Sequence, residues 1–62
     1  MVKINNKPTY ADNYEWIVAY VSYGEYWFYG AYTNGYVANK VACEMDGELI
    51  YNEDYKGERT FA

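Results

Sequence analysis

Between Tyr14 and Tyr32 the chain reads YEWIVAYVSYGEYWFYGAY. β-branched and aromatic side chains dominate this stretch, and they favour extended backbone because they pack well on a pleated, half-buried surface. Gly24 followed by Glu25 interrupts it, and glycine accepts the positive φ at the first central position of a type II′ turn. The stretch therefore predicts a β-hairpin with Tyr23 opposite Tyr26. Counting outwards, Ile17, Ala19 and Val21 share one face with Tyr32, Gly30 and Phe28. The other face carries Trp16, Val18, Tyr20 and Ser22 with Ala31, Tyr29 and Trp27. A slip of one residue on one strand mixes these sets, since side chains alternate between faces along a strand.

The next stretch, TNGYVANKVACEMDG, places apolar residues at Val37, Ala38, Val41, Ala42 and Met45. At 100° per residue they occupy about 140° of arc with no polar residue inside it, which is helical spacing. Thr33 or Asn34 suits the N-cap, and Gly47 suits the position after the C-cap. The competing reading takes Asn34-Gly35 as a type I′ turn into another strand, which would put Asn39 on the same face as Val37 and Val41. The helix leaves no such exception and is preferred for residues 34–46. Leu49 and Tyr51 then alternate with Glu48, Ile50 and Asn52 in a last strand. The expected fold is α+β: a small antiparallel sheet in β-β-α-β order with one helix packed on one face. Residues 1–62 form one domain. Residues 1–13 and 56–62 are expected as loosely ordered arms, with Val2 and Ile4 offering a short edge strand as the alternative.

A chain of 62 residues buries only about 60% of the surface its unfolded form exposes. Domains of this size usually carry a staple. With one cysteine and no histidine, neither an intrachain disulfide nor a zinc centre is expected. Cys43 lacks a histidine base and falls near the C-terminal end of the helix, where the dipole disfavours a thiolate. The carboxylates Glu44, Asp46, Glu48, Glu53 and Asp54 form an acidic rim without a cleft to hold a catalytic pair. No phosphate loop or calcium loop is present. No catalytic, metal or cofactor residue is assigned, and no enzymatic activity is expected. Five Lys and Arg against nine Asp and Glu give a formal charge of −4, which repels phosphate backbones, so direct nucleic-acid binding is not expected. No run reaches the roughly 18 apolar residues of a membrane span. The polar start and the single cysteine fit a cytosolic protein.

The segment WFYGAYTNGYVANKVACEMDGELI, Trp27 to Ile50, resembles a pattern in small phage-encoded proteins. In these an aromatic strand ends in Gly-Ala-aromatic, a capped helix opens with Ala-Asn, and a Gly-Glu-aliphatic strand closes the unit. The strand-strand-helix-strand order also looks like that of small phage inhibitors of host RNA polymerase. The resemblance implies a small protein that docks on a larger host machine and carries no active site of its own.

One short helix covers one face of such a sheet. Ala19 and Gly30, facing each other, leave a shallow groove for a helix, so the helix is expected on the Ile17, Val21 and Phe28 side and the opposite face presents Trp16, Val18, Tyr20, Trp27 and Tyr29. Contiguous apolar patches of this kind mark interaction sites, and Trp and Tyr are enriched at interface hot spots. The expected partner-binding residues are Trp16, Tyr20, Trp27 and Tyr29 with the acidic Glu44, Asp46 and Glu48. The expected partner is a protein, with a nucleic-acid-binding enzyme of the host as the candidate suited to an acidic inhibitor or adaptor. The same patch set against its own copy would make a homodimer, and the N-terminal arm folded across it would use it up. A carbohydrate-binding or enzymatic module built from the tyrosines and carboxylates is the alternative.

Overall fold

The computed structural model describes residues 2–57. The chain runs β1 (Ile4–Asn5), a 3-10 turn (Thr9–Asn13), β2 (Trp16–Ser22), β3 (Glu25–Tyr32), α1 (Gly35–Met45) and β4 (Glu48–Tyr51). The four strands make one mixed sheet in the order β1-β3-β2-β4, with β1 parallel to β3 and the other pairs antiparallel. The fold is thus α+β with a single helix on the sheet, as expected. The fourth strand comes from the N-terminal segment, where Ile4 and Asn5 pair with Tyr26 and Trp27. Asn5 Nδ2 donates to the Tyr26 carbonyl and to Glu25 Oε1, each at 3.1 Å. Asn6 then takes a positive φ of 64° and turns the chain away. Arg59 and Phe61 of the C-terminal arm lie outside the described residues.

The hairpin forms where expected, but its turn and register differ. Ser22 pairs with Glu25, so the turn is Tyr23-Gly24, with φ of 53° and 74°. Positive φ at both central residues is the type I′ pattern, which matches strand twist as well as II′ does. Gly24 still supplies a positive φ, at the second central position rather than the first. Further along, a β-bulge interrupts the ladder: Ala19 pairs with Phe28 but Val18 pairs with Gly30, leaving Tyr29 extra. One inserted residue inverts the faces of everything beyond it. Tyr32 and Gly30 therefore join Trp16 and Val18, while Ala31 joins Ile17.

This inversion changes where the helix sits. α1 packs on the Trp16 and Val18 face, not on the Ile17, Val21 and Phe28 face. Val18, Ala38 and Ala42 form the buried cluster, with Trp16, Tyr32, Val41, Met45 and Leu49 packed around it. The small side chains of Ala38 and Ala42 let the helix approach closely. Val41 is half-buried at the margin rather than central, and Val37 is exposed. The opposite face is covered by the N-terminal segment. Ala11 of the 3-10 turn is fully buried, and the Tyr10 ring meets Phe28 edge-on with centroids 6.4 Å apart. Ile17, Val18 and Ala19 all have 0% exposure, as befits a central strand covered on both sides.

Asn34 is the N-cap of α1: its Oδ1 accepts from the backbone N–H of Tyr36 at 2.8 Å and of Val37 at 3.3 Å. At the other end Asp46, not Gly47, takes the left-handed conformation, with φ 58°. The Gly47 N–H donates to the Ala42 carbonyl and the Asp46 N–H to the Cys43 carbonyl, a Schellman closure. Glycine at 47 answers a different need, since a Cβ there would lie 2.6 Å from the Ala19 backbone oxygen. Gly47→Ala should therefore destabilise the protein by about 1–3 kcal/mol, as overpacking does. Asp46→Gly, which frees the left-handed residue, should leave the melting temperature unchanged or higher. Thermal denaturation followed by circular dichroism measures both, and equal effects at the two positions would contradict this division of roles.

Candidate functional site

Two constellations stand out, one at each end of β2. At the Trp16 end, Asn52 follows β4 and is 3% exposed. Its backbone N–H donates to the Glu15 carbonyl at 2.9 Å. Its Nδ2 lies 3.1 Å from both the Ala11 and Tyr14 carbonyls and 3.3 Å from Asp12 Oδ1. Its Oδ1 accepts from the Asp54 N–H and from Lys7 Nζ. Lys7 in turn bridges Asp12 at 3.1 Å and Asp54 at 2.8 Å. Sequence reading passed over this cluster. Its local signal was Asn52 at a strand end followed by Glu53-Asp54, an Asx-turn pattern.

A lysine among carboxylates invites a catalytic reading, but the electrostatics point the other way. Burial pulls the Lys7 ammonium down, yet its hydrogen bonds to Asp54 and Asp12 outweigh that and hold its pKa above the usual 10.5. The hydrogen bond from Lys7, opposed by burial, holds Asp12 below the usual 3.8. Each group is pushed further from neutrality, whereas acid-base catalysis needs them drawn towards it. The adjoining cleft, bordered by Ile4, Lys7, Ile50 and Asn52, encloses about 60 Å³, far below the roughly 300 Å³ at which ligand pockets begin. This cluster is a clamp that fastens the N-terminal segment to the end of β4.

At the other end the helix stops short of the hairpin. α1 begins over Trp16, whose indole lies against Gly35, and ends where Gly47 meets the Ala19 carbonyl. Tyr20 comes next along β2 and pairs across with Trp27 on the helix-bearing face. Trp27 is half-buried and its Nε1–H donates to the Ser22 carbonyl at 3.1 Å. Tyr20 is 41% exposed, Val21 59% and Tyr23 95%, directly after three residues with no exposure at all. Tyr29, on the bulge, is 53% exposed.

The expected partner-binding residues divide accordingly. Tyr20 and Trp27 are brought together, and Glu44 and Asp46 are exposed at the helix end above the same face. Glu48 pairs with Ala19 and so belongs to the opposite face. Trp16 is taken up by the core, in an edge-on contact with Tyr51 at 5.2 Å. Of the sheet face that motivated a homodimer, Trp16 and Val18 are covered by the helix, while Tyr20 and Tyr29 are exposed. The five carboxylates do not gather at one end: Glu44 and Asp46 lie before β4 and Glu48 opens it, while Glu53 and Asp54 lie after it, with Asp54 held by Lys7. Glu25 adds a negative charge at the hairpin tip, and Lys7 and Lys56 sit at the clamp end, where the Lys56 N–H donates to the Asp12 carbonyl. Cys43 is exposed on the outer helix face, beside a shallow depression bordered by Tyr36, Asn39 and Lys40. Among the described residues no cluster of three His, Cys, Asp or Glu could hold a metal ion, and no helix is long and apolar enough to cross a membrane.

Comparison with protein-family models, curated proteins and solved structures finds no match to this chain. The resemblance to phage-encoded proteins gains no support from them.

Two outcomes test the clamp. Asn52→Ala removes the donor shared by the buried Ala11 carbonyl and the part-buried Tyr14 carbonyl, a loss of about 1–3 kcal/mol, which is a large share of the roughly 3–5 kcal/mol such a domain holds. Urea denaturation should show it, with faster amide exchange over residues 9–14. Lys7→Gln should lower stability across the neutral range. For Asp12, held low, the gain is present above pH 3.8 and lost as pH falls through its folded value. For Lys7, held high, the gain is present below pH 10.5 and lost as pH rises through its folded value. The difference between wild type and Lys7→Gln should therefore shrink at both extremes, and a difference that is flat with pH would count against the clamp.

Proposed function

We propose that this protein is a small acidic interaction module that docks on a basic surface of a larger protein through its hairpin end. The supporting observation is the step in exposure along β2, from fully buried Ile17, Val18 and Ala19 to exposed Tyr20, Val21 and Tyr23. A chain with so little core has every reason to bury aromatic rings, and those left outside fit the composition of interface hot spots. The net charge of −4, with Glu25 exposed beside the hairpin turn and Glu44 and Asp46 exposed at the end of α1, favours a cationic partner and disfavours nucleic acid itself. A nucleic-acid-binding enzyme, whose working channel is basic, is the partner class we propose, with inhibition or adaptation of that enzyme in the cytoplasm as the role.

Affinity capture from a lysate of the source cell tests this with wild type and with the triple variant Tyr20→Ser, Glu44→Gln, Asp46→Asn. Wild type should retain one basic protein in stoichiometric amount. The variant should lose at least about tenfold in affinity while melting normally, and raising the salt should weaken wild-type capture steeply. Capture that ignores both salt and the variant would overturn the proposal.

A further inference from the structure

Among the described residues, three non-glycine residues have positive φ: Asn6 at 64°, Tyr23 at 53° and Asp46 at 58°. Asn and Asp tolerate this conformation because their short polar side chains bond locally. Tyrosine does not, and a bulky residue held there is a genuine outlier. Tyr23 is also 95% exposed, so its ring contributes no packing that would offset the strain. Asn-Gly is the pair that a type I′ turn prefers, and the chain has Tyr23-Gly24 instead. Strain kept without structural return is a signature of functional positions.

We infer that Tyr23 is an anchor residue of the docking surface and that its occupant is an arginine side chain on the partner protein. This rests on the interaction reading above and names its chemistry. The hairpin tip presents the phenol ring to solvent, 95% exposed, which suits stacking by a planar guanidinium. Glu25 is two residues away on the closing pair of the turn, its carboxylate already oriented by Asn5. Ring and carboxylate together match the two things an arginine offers and a lysine offers less well, a flat face and a forked donor edge. Tyr20, exposed on the same sheet face as Glu25, supplies the apolar floor.

The test uses Tyr23→Asn, which installs the preferred turn pair and cannot fail for want of a fold. Wild type and variant are titrated with a labelled octa-arginine peptide and with octa-lysine as the control of equal charge. The melting temperature of Tyr23→Asn should rise by about 4–8 °C, while its affinity for octa-arginine falls about fivefold and that for octa-lysine changes little. A variant that binds octa-arginine as wild type does would remove Tyr23 from the surface and leave the interaction reading standing. Equal losses for both peptides would overturn the arginine assignment, and an unchanged melting temperature would overturn the strain on which it rests. Wild type that binds neither peptide at low salt would bring down the basic-partner reading itself.

Discussion

The extra residue at Tyr29 decides the architecture. The ladder between β2 and β3 changes register between Val18 and Ala19, and side chains beyond that point swap faces. Without it, Tyr32 would share a face with Ile17, and the cluster of Trp16, Val18, Tyr32 and Leu49 under the helix would lose a wall. Gly30 is where the displaced volume goes, since the Tyr32 ring lies across it and a Cβ there would meet the hydroxyl at 2.8 Å. One side of the sheet thus becomes aromatic enough to seat a helix. The other keeps Phe28 for the N-terminal turn.

The second consequence is that the N-terminal segment becomes part of the core. A chain this small gains from covering both faces of its central strand, and it does so without a disulfide. Polar chemistry holds that cover in place: a buried asparagine joins the turn at Ala11 and Tyr14 to the end of β4, and a lysine bridges two aspartates around it. The pairing of Lys7 with Asp12 and Asp54 favours the charged forms, holding Lys7 above and Asp12 below their usual values.

What is left outside is confined to one end. The helix ends at the level of Ala19 and the hairpin projects beyond it, carrying the exposed rings of Tyr20 and Tyr23. Stability and surface are divided along a single strand, whose first half is held from both sides and whose second half is free to make contacts. Acidic groups stand at both ends, Glu25, Glu44 and Asp46 towards the tip and Asp12, Glu53 and Asp54 at the clamp, where Lys7 pairs with Asp12 and Asp54.

Much of this was legible in the residues. The helix was, because Asn34 offers a cap and the apolar positions repeat at its period. So were the hairpin and the last strand, whose side-chain types and turn glycine act locally. Which face the helix takes was not legible, and neither was the loss of Trp16 from the surface. Both depend on a one-residue bulge whose cost and return are settled by long-range packing of Tyr32 against Trp16 and Val18, not by anything in the sequence near Tyr29. The Asn52 clamp was likewise hidden, since its partners lie some forty positions away along the chain. Local sequence determined the elements. Tertiary structure decided their faces, because a sheet reads its two sides by parity and a single inserted residue reverses them.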